Sequence, residues 1–199
     1  MERQLRINDM DLKYKVSFRD VHYPRLEFKT GSLLLVLPRN YENEEEIIQK
    51  HINWIHKKNT AIKNSLEGLN EKNLEMDRTE EDFKSLVHSL VEIFSAELKI
   101  GVNRVFFRKM KSKWGSCSPG KNLTINTLLR YLPAGLIEYV IFHEMAHVVE
   151  KKHNDNFWKI IAKKCKDYQE YESDLLAYWF LIQRRIDGLS KKETVHFSR

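Results

Sequence analysis

Apolar and polar positions divide the chain into segments of two periods. Residues 14–20, YKVSFRD, and 24–29, PRLEFK, alternate in part and use good strand formers. LLLVLP at 33–38 is a continuous apolar run and predicts a buried strand ending at Pro38. Lys29-Thr30-Gly31-Ser32 is a turn signal ahead of it. The N-terminus therefore predicts a small antiparallel strand set. The period then lengthens. In NEEEIIQKHINWIHKKNTAIKNSLEGL, residues Ile47, Ile48, Ile52, Ile55, Ile62 and Leu66 fall mostly at helical spacing. Asn43 offers a cap, three glutamates suit the positive N-terminal end, and Gly68 marks the exit.

Residues 69–78, LNEKNLEMDR, are polar and form the best boundary between two parts of the chain. Thr79 is an N-cap followed by Glu80, Glu81 and Asp82. Phe83, Leu86, Val87, Leu90, Val91, Phe94 and Leu98 predict a second long helix ending near Gly101. RVFFRKM at 104–110 reads as a strand, KSKWGSCSPGKN at 111–122 as turns, and LTINTLLRYL at 123–132 as a strand stopped by Pro133. A helix from about Ala134 to Glu150 follows, then helices near 154–168 and 172–186. The tail, GLSKKETVHFSR, reads as frayed.

Chemistry concentrates on the helix that begins at Ala134. It carries HEMAH, with His143 and His147 four residues apart. At about 100° per residue they share one face, one turn apart, so both imidazoles can reach one Zn²⁺ at about 2.0–2.1 Å. Glu144 sits beside them, placed to take a proton from metal-bound water. The segment is strongly apolar on the side of Ile137, Val140, Ile141 and Val148, as a buried active-site helix would be. His153 follows six residues after His147, and a helix end near Glu150 lets the chain curl it back as third ligand. The alternative is a dipole-facing His153, with Glu170, Glu172 or Asp174 as the third ligand. Three protein ligands with an open fourth position make a catalytic site, and its natural reaction is amide hydrolysis.

Bulk numbers narrow the setting. The 199 residues are 42% hydrophobic, enough for one core or one core plus a small appended layer. No apolar run is long enough for a membrane span, and the first residues lack the apolar centre of a signal peptide. Cys117 and Cys165 form no C-x-x-C pair, which points to a reducing cytoplasm. The formal net charge of +6 permits weak nucleic-acid association, but no Lys/Arg block reads as a binding patch alone.

WGSCS at 114–118, LTIN at 123–126, LRYLP at 129–133, IEYVIFHEMAH at 137–147 and HNDNFW at 153–158 resemble the YgjP-like metallopeptidases. This is the domain also labelled domain of unknown function 45, similar to the SprT-like and WLM zincin proteases. The N-terminal strands and WIHKK at 54–58 resemble that family too. The resemblance implies an α+β, gluzincin-like zincin fold: a small mixed sheet, an active-site helix and backing helices, preceded by the antiparallel strand set. It implies one Zn²⁺ per chain held by His143, His147 and His153, with Glu144 as general base. Met145 stands where many relatives carry Leu, a conservative apolar change. The expected division is 1–76 for the N-terminal strands and long helix, packed on the rest, 77–190 for the zincin catalytic domain, and 191–199 for a flexible tail.

Around this triad, Trp114, Gly115 and Ser116 are candidates to bind substrate, since Gly115 permits close backbone approach. A packed β-turn anchored by Trp114 is the alternative. Cys117 is a candidate fourth ligand or a small buried thiol. Phe157 and Trp158 are expected to pack the helix after His153 onto the core, fixing that ligand's approach. Asn126 is a candidate to orient a ligand or an ordinary strand residue, and Tyr168 and Tyr171 are candidate oxyanion donors. Lys109, Lys111 and Lys113 could meet a phosphate backbone or form a solvated strand face. The favoured function is zinc-dependent peptide hydrolysis through metal-bound water activated by Glu144. The alternatives are a protease of DNA-bound or DNA-crosslinked proteins, and a zinc-binding regulatory module with little catalysis.

Overall fold

The computed structural model describes residues 2–7, 10–29, 32–41, 43–67 and 72–195. Thr30 and Gly31 of the turn, Gly68, residues 69–71 and residues 196–199 lie outside the described residues, as does the Leu66 side chain. The chain forms two compact units, residues 1–68 with 183–199, and residues 69–182.

The first unit holds four strands, β1 (Glu2–Ile7), β2 (Met10–Arg19), β3 (Arg25–Lys29) and β4 (Ser32–Pro38), in the order β1-β2-β4-β3. The sheet is mixed rather than purely antiparallel. β1–β2 and β3–β4 are antiparallel, but β2 and β4 run parallel. The apolar run of β4 explains this. Leu33, Leu35, Val36 and Leu37 are all buried, so both faces of mid-strand are covered and β4 takes an interior place. β2 keeps the alternation of a strand with one wet face, with Tyr14 and Val16 buried and Lys13, Lys15 and Ser17 outward.

The predicted long helix is two helices, α1 (Glu44–Lys50) and α2 (Ile52–Glu67). The break falls at His51, whose Nδ1 lies 2.8 Å from the Ile47 carbonyl while its backbone N–H bonds to Ile48 O. The side chain takes a carbonyl that a continuing helix would need. Ile48 and Ile55 still pack with Tyr14, Val16, Leu33, Leu35 and Leu37 in one apolar cluster.

The second unit opens with residues 72–78, tied down by Glu75 N–H to Tyr131 O and by Arg78, which donates to the carbonyls of Arg130 and Leu132. Helix α3 (Glu80–Leu98) starts at the predicted cap, with Thr79 Oγ1 accepting from Asp82 N–H at 3.0 Å. It ends ahead of Gly101, at Lys99, which takes the left-handed conformation (φ 53°) and closes the last turn.

Strands β5 (Arg104–Arg108), β6 (Gly115–Cys117) and β7 (Asn122–Asn126) form a sheet ordered β5-β7-β6, with β5 parallel and β6 antiparallel to β7. β6 lies inside the stretch read as turns, because three residues give no periodic signal. The strand predicted over 123–132 stops at Asn126, and a short 3-10 helix, Thr127–Tyr131, follows. Asn126 causes the switch. Its Oδ1 accepts from Leu128 N–H and Met110 N–H, and its Nδ2 donates to the carbonyls of Met110 and Lys113. It is fully buried, so it caps the 3-10 helix and holds the 110–113 loop leading into β6.

Helices α4 (Ala134–Val149), α5 (Asp155–Lys164) and α6 (Tyr168–Val195) complete the fold. α6 continues as helix through Gly188-Leu189-Ser190, the stretch read as the start of a frayed tail. α4 packs on α3 through an edge-on contact of Phe94 and Phe142, with Lys164 Nζ over both rings and paired to Glu97.

Asn126→Ala should lower the unfolding free energy by about 3 kcal/mol, because it removes four hydrogen bonds to backbone, one of them buried at Leu128 N–H and three part-buried. Denaturant titration measures this. A loss below about 1 kcal/mol would show that the 110–113 loop is held by something else.

Candidate metal centre

α4 is apolar on nearly every side. Leu136, Ile137, Tyr139, Val140, Ile141, Phe142, Met145 and Ala146 are all buried, each large one contributing roughly 1.5–3 kcal/mol. Its polar residues are therefore conspicuous. His143 and His147 stand one turn apart with ring centroids 5.2 Å apart. α4 ends at Val149, and Glu150 takes extended backbone, so the chain turns and brings His153 back. Asn154 then caps α5, its Oδ1 accepting from Phe157 N–H at 3.0 Å.

The result is a cluster of His143, His147 and His153 whose candidate ligand nitrogens all lie within 4.8 Å of one another. His143 Nε2 and His153 Nε2 are 3.0 Å apart. Two nitrogens on one tetrahedral zinc at 2.0–2.1 Å would stand about 3.3 Å apart. His147 Nδ1 is engaged by the Glu150 carbonyl at 3.1 Å, which leaves its Nε2 for the cluster. The donor set thus fits a zinc ion, with exposed His153 marking the open side. Burial, then the nearby His147 and His153, pushes the His143 pKa down to about 3. Burial also lowers that of His147. Both shifts favour the neutral ring, the form that binds metal.

Phe157 is the common floor. It is fully buried, stacks on His147 at 4.5 Å, and touches His143 and His153 edge-on at 4.9 and 4.7 Å. Trp158 stacks on His153 at 5.6 Å and on Tyr168 at 4.8 Å. Both aromatics of the F-W pair touch the histidines themselves, the contact through which they fix the approach of His153.

Glu144 points to the other neighbour of α4, strand β6. It is only 8% exposed. Burial raises its pKa to about 7, against the positive charge of Lys113 and a hydrogen bond from the Cys117 backbone N–H, with Glu172 adding to the rise. Gly115 supplies the space. A Cβ there would lie 2.6 Å from Glu144 Cγ and 2.9 Å from its Cδ. Gly115 thus lets this protein's own Glu144 side chain lie close against the β6 backbone.

The remaining candidates fall around this centre. Trp114 packs edge-on against Trp179 at 4.9 Å. Ser116 pairs across from Thr124, with Gly115 across from Ile125. Cys117 does not join the three-histidine cluster; its thiol contacts the Ser118 carbonyl, and burial followed by Glu144 raises its pKa. Asn126 binds loop backbone rather than a histidine. Asp174 pairs with Lys72, and Tyr171 stacks on Tyr139. Glu172 lies outside the cluster, 3.6 Å from the Nδ1 of His143. No residue count or spacing signals this last contact, because α4 and α6 are joined only by tertiary packing.

Gly115→Ala should cost about 1–3 kcal/mol of stability through overpacking against Glu144. The paired variant G115A/E144A should lose less than the sum of the two single changes. Strict additivity in a denaturation double-mutant cycle would show that the two residues do not press on each other.

The chain is similar to two solved structures, both crystal structures of metallopeptidase zymogens. One is abylysin of Pyrococcus abyssi, at 22% identity over 45% of this chain and 91% of that chain, TM-score 0.42. The other is jannalysin of Methanocaldococcus jannaschii, at 23% identity over 45% of this chain and 93% of that chain, TM-score 0.41. No curated protein matches. The YgjP-like metallopeptidase domain matches residues 70–178, from just ahead of α3 into α6, and so takes in α4, β6 and all three clustered histidines. More than half of the chain carries that match, and the protein belongs to the YgjP-like metallopeptidase family.

Proposed function

We propose that this protein is a zinc-dependent peptidase in which His143, His147 and His153 hold the metal and Glu144 is the general base. The observation that carries the reading is the convergence of three neutral-capable imidazoles beside a buried carboxylate, two of them on α4 and the third, exposed His153, in the turn that follows it. Membership of a metallopeptidase family directs it to peptide or protein substrates.

A bound Zn²⁺ would supply water acidified to near neutrality and would polarise the substrate carbonyl. The chain's own residues do the rest. Glu144 accepts the proton of the attacking water and returns it to the nitrogen of the departing amine. The N–H of Cys117 fixes one side of that carboxylate, and Gly115 leaves it room. Phe157 and Trp158 hold the three imidazoles in one arrangement, so the ligands are set before the metal arrives.

β6 ends its sheet, pairing with β7 alone among the described residues. Its other edge, from Trp114 to Ser116, is where an extended peptide would add as a strand beside Glu144. Lys113, exposed ahead of β6, places a positive charge close to Glu144. The free, half-buried Cys117 and Cys165 suit a reducing compartment such as the cytoplasm. No described helix is long and apolar enough to cross a membrane.

Glu144→Gln should keep one zinc per chain and lose about 10²–10⁴ in the rate of hydrolysis of a peptide library. Cleavage at the wild-type rate would remove Glu144 from the mechanism. A wild type that binds zinc and cleaves nothing in the library would favour a non-catalytic zinc module. His153→Ala should weaken zinc binding in a chelator competition, and unchanged affinity would move the third ligand elsewhere.

A further inference from the structure

We infer that Glu172 is a positioning residue for His143: held in place by the Tyr139 hydroxyl, its carboxylate receives the Nδ1–H of His143 and so aims Nε2 at the metal. The inference rests on the three-histidine zinc reading above.

The two histidines of HEMAH differ in one respect. His147 Nδ1 has the Glu150 carbonyl. His143 Nδ1 is buried and lacks a hydrogen-bond partner within normal distance. Leaving such an atom unpaired is costly, so a carboxylate close to it is informative. Glu172 Oε1 lies 3.6 Å away. A normal hydrogen bond would need about 3.0 Å, so a movement of a fraction of an ångström closes it.

Glu172 is not a loosely placed surface carboxylate, although its side chain is 46% exposed. Tyr139 donates its hydroxyl to the same Oε1 at 2.6 Å. Tyr139 is 1% exposed and stacks flat on Tyr171, with centroids 5.0 Å apart and an interplanar angle of 12°. It also lies one helical turn before His143 and meets that ring at 5.9 Å. The tyrosine therefore holds Glu172 beside the Nδ1 of His143, while the Nε2 of the same ring lies 3.0 Å from His153. With Nε2 committed to a ligand role, the ring's proton must sit on Nδ1. A carboxylate there fixes that tautomer and makes Nε2 a stronger donor.

Zinc affinity of the full chain, read by competition with a chromophoric chelator, tests this. Glu172→Ala should weaken zinc binding about 10–100-fold. Glu172→Gln keeps an acceptor oxygen and should recover part of the loss. Tyr139→Phe should weaken binding by less, and should add nothing once Glu172→Ala is present. The zinc-free melting temperature of Glu172→Gln, whose side-chain oxygen can still accept from Tyr139, should stay at the wild-type value while its zinc affinity falls below wild type; a merely structural role would leave that affinity unchanged. Wild-type affinity in Glu172→Ala, alongside a His143→Ala variant that no longer binds zinc, overturns this inference alone. So does an independent, additive effect of Tyr139→Phe. A wild type that takes up no zinc, or a His143→Ala variant that retains it, overturns the zinc reading and this inference together.

Discussion

A helix buried on almost every side carries three polar side chains that cannot be left without partners. That constraint on α4 governs the second unit of this protein. Its apolar residues fill the core, yet His143, Glu144 and His147 project from the same few turns. A buried polar group without a partner costs about 1–3 kcal/mol, and a buried charge costs more. Each of the three is met by a different neighbour. Glu144 has the N–H of Cys117 on β6. His147 has the Glu150 carbonyl just past the helix end. His143 has Glu172 of α6 near its Nδ1. The nitrogens these partners leave over are the ones that face His153.

The surroundings of α4 follow from serving that helix. Asn126, buried and four times hydrogen-bonded, ends β7 and ties down the loop that leads into β6. That loop sets where Gly115 lies, and Gly115 is the only residue type whose side chain leaves Glu144 its space. On the opposite flank, the Asn154 cap starts α5 immediately after His153. Phe157 then enters as a floor under all three imidazoles. Strand pairing, a glycine and a helix cap, each ordinary, together hold one carboxylate and three imidazoles in register.

Much of this is legible along the chain, and the exceptions have physical causes. Period and capping place α3 and α4 closely, because long amphipathic or apolar helices with a Thr cap or a preceding Pro leave strong local signals. His143, Glu144 and His147 are legible for the same reason, since four residues is one turn. His153 is readable only through the predicted helix end at Glu150. The mixed pairing of β2 with β4 is not written in either strand's own pattern; it arises from which strand is covered on both faces. His51 breaks a helix that spacing alone continues, and Asn126 breaks a strand, in both cases through a side chain bonding nearby backbone. The partnership of Glu172 with Tyr139 and His143 spans α4 and α6, so no local rule reaches it.

The central claim is that the polar side chains of α4, with His153, form an open three-nitrogen zinc site. X-ray absorption at the zinc edge of the zinc-loaded protein tests it most directly. The account predicts one ion per chain with three imidazole nitrogens at about 2.0–2.1 Å and one further light-atom ligand. A sulfur shell at about 2.3 Å, placing Cys117 or Cys165 on the metal, would contradict it.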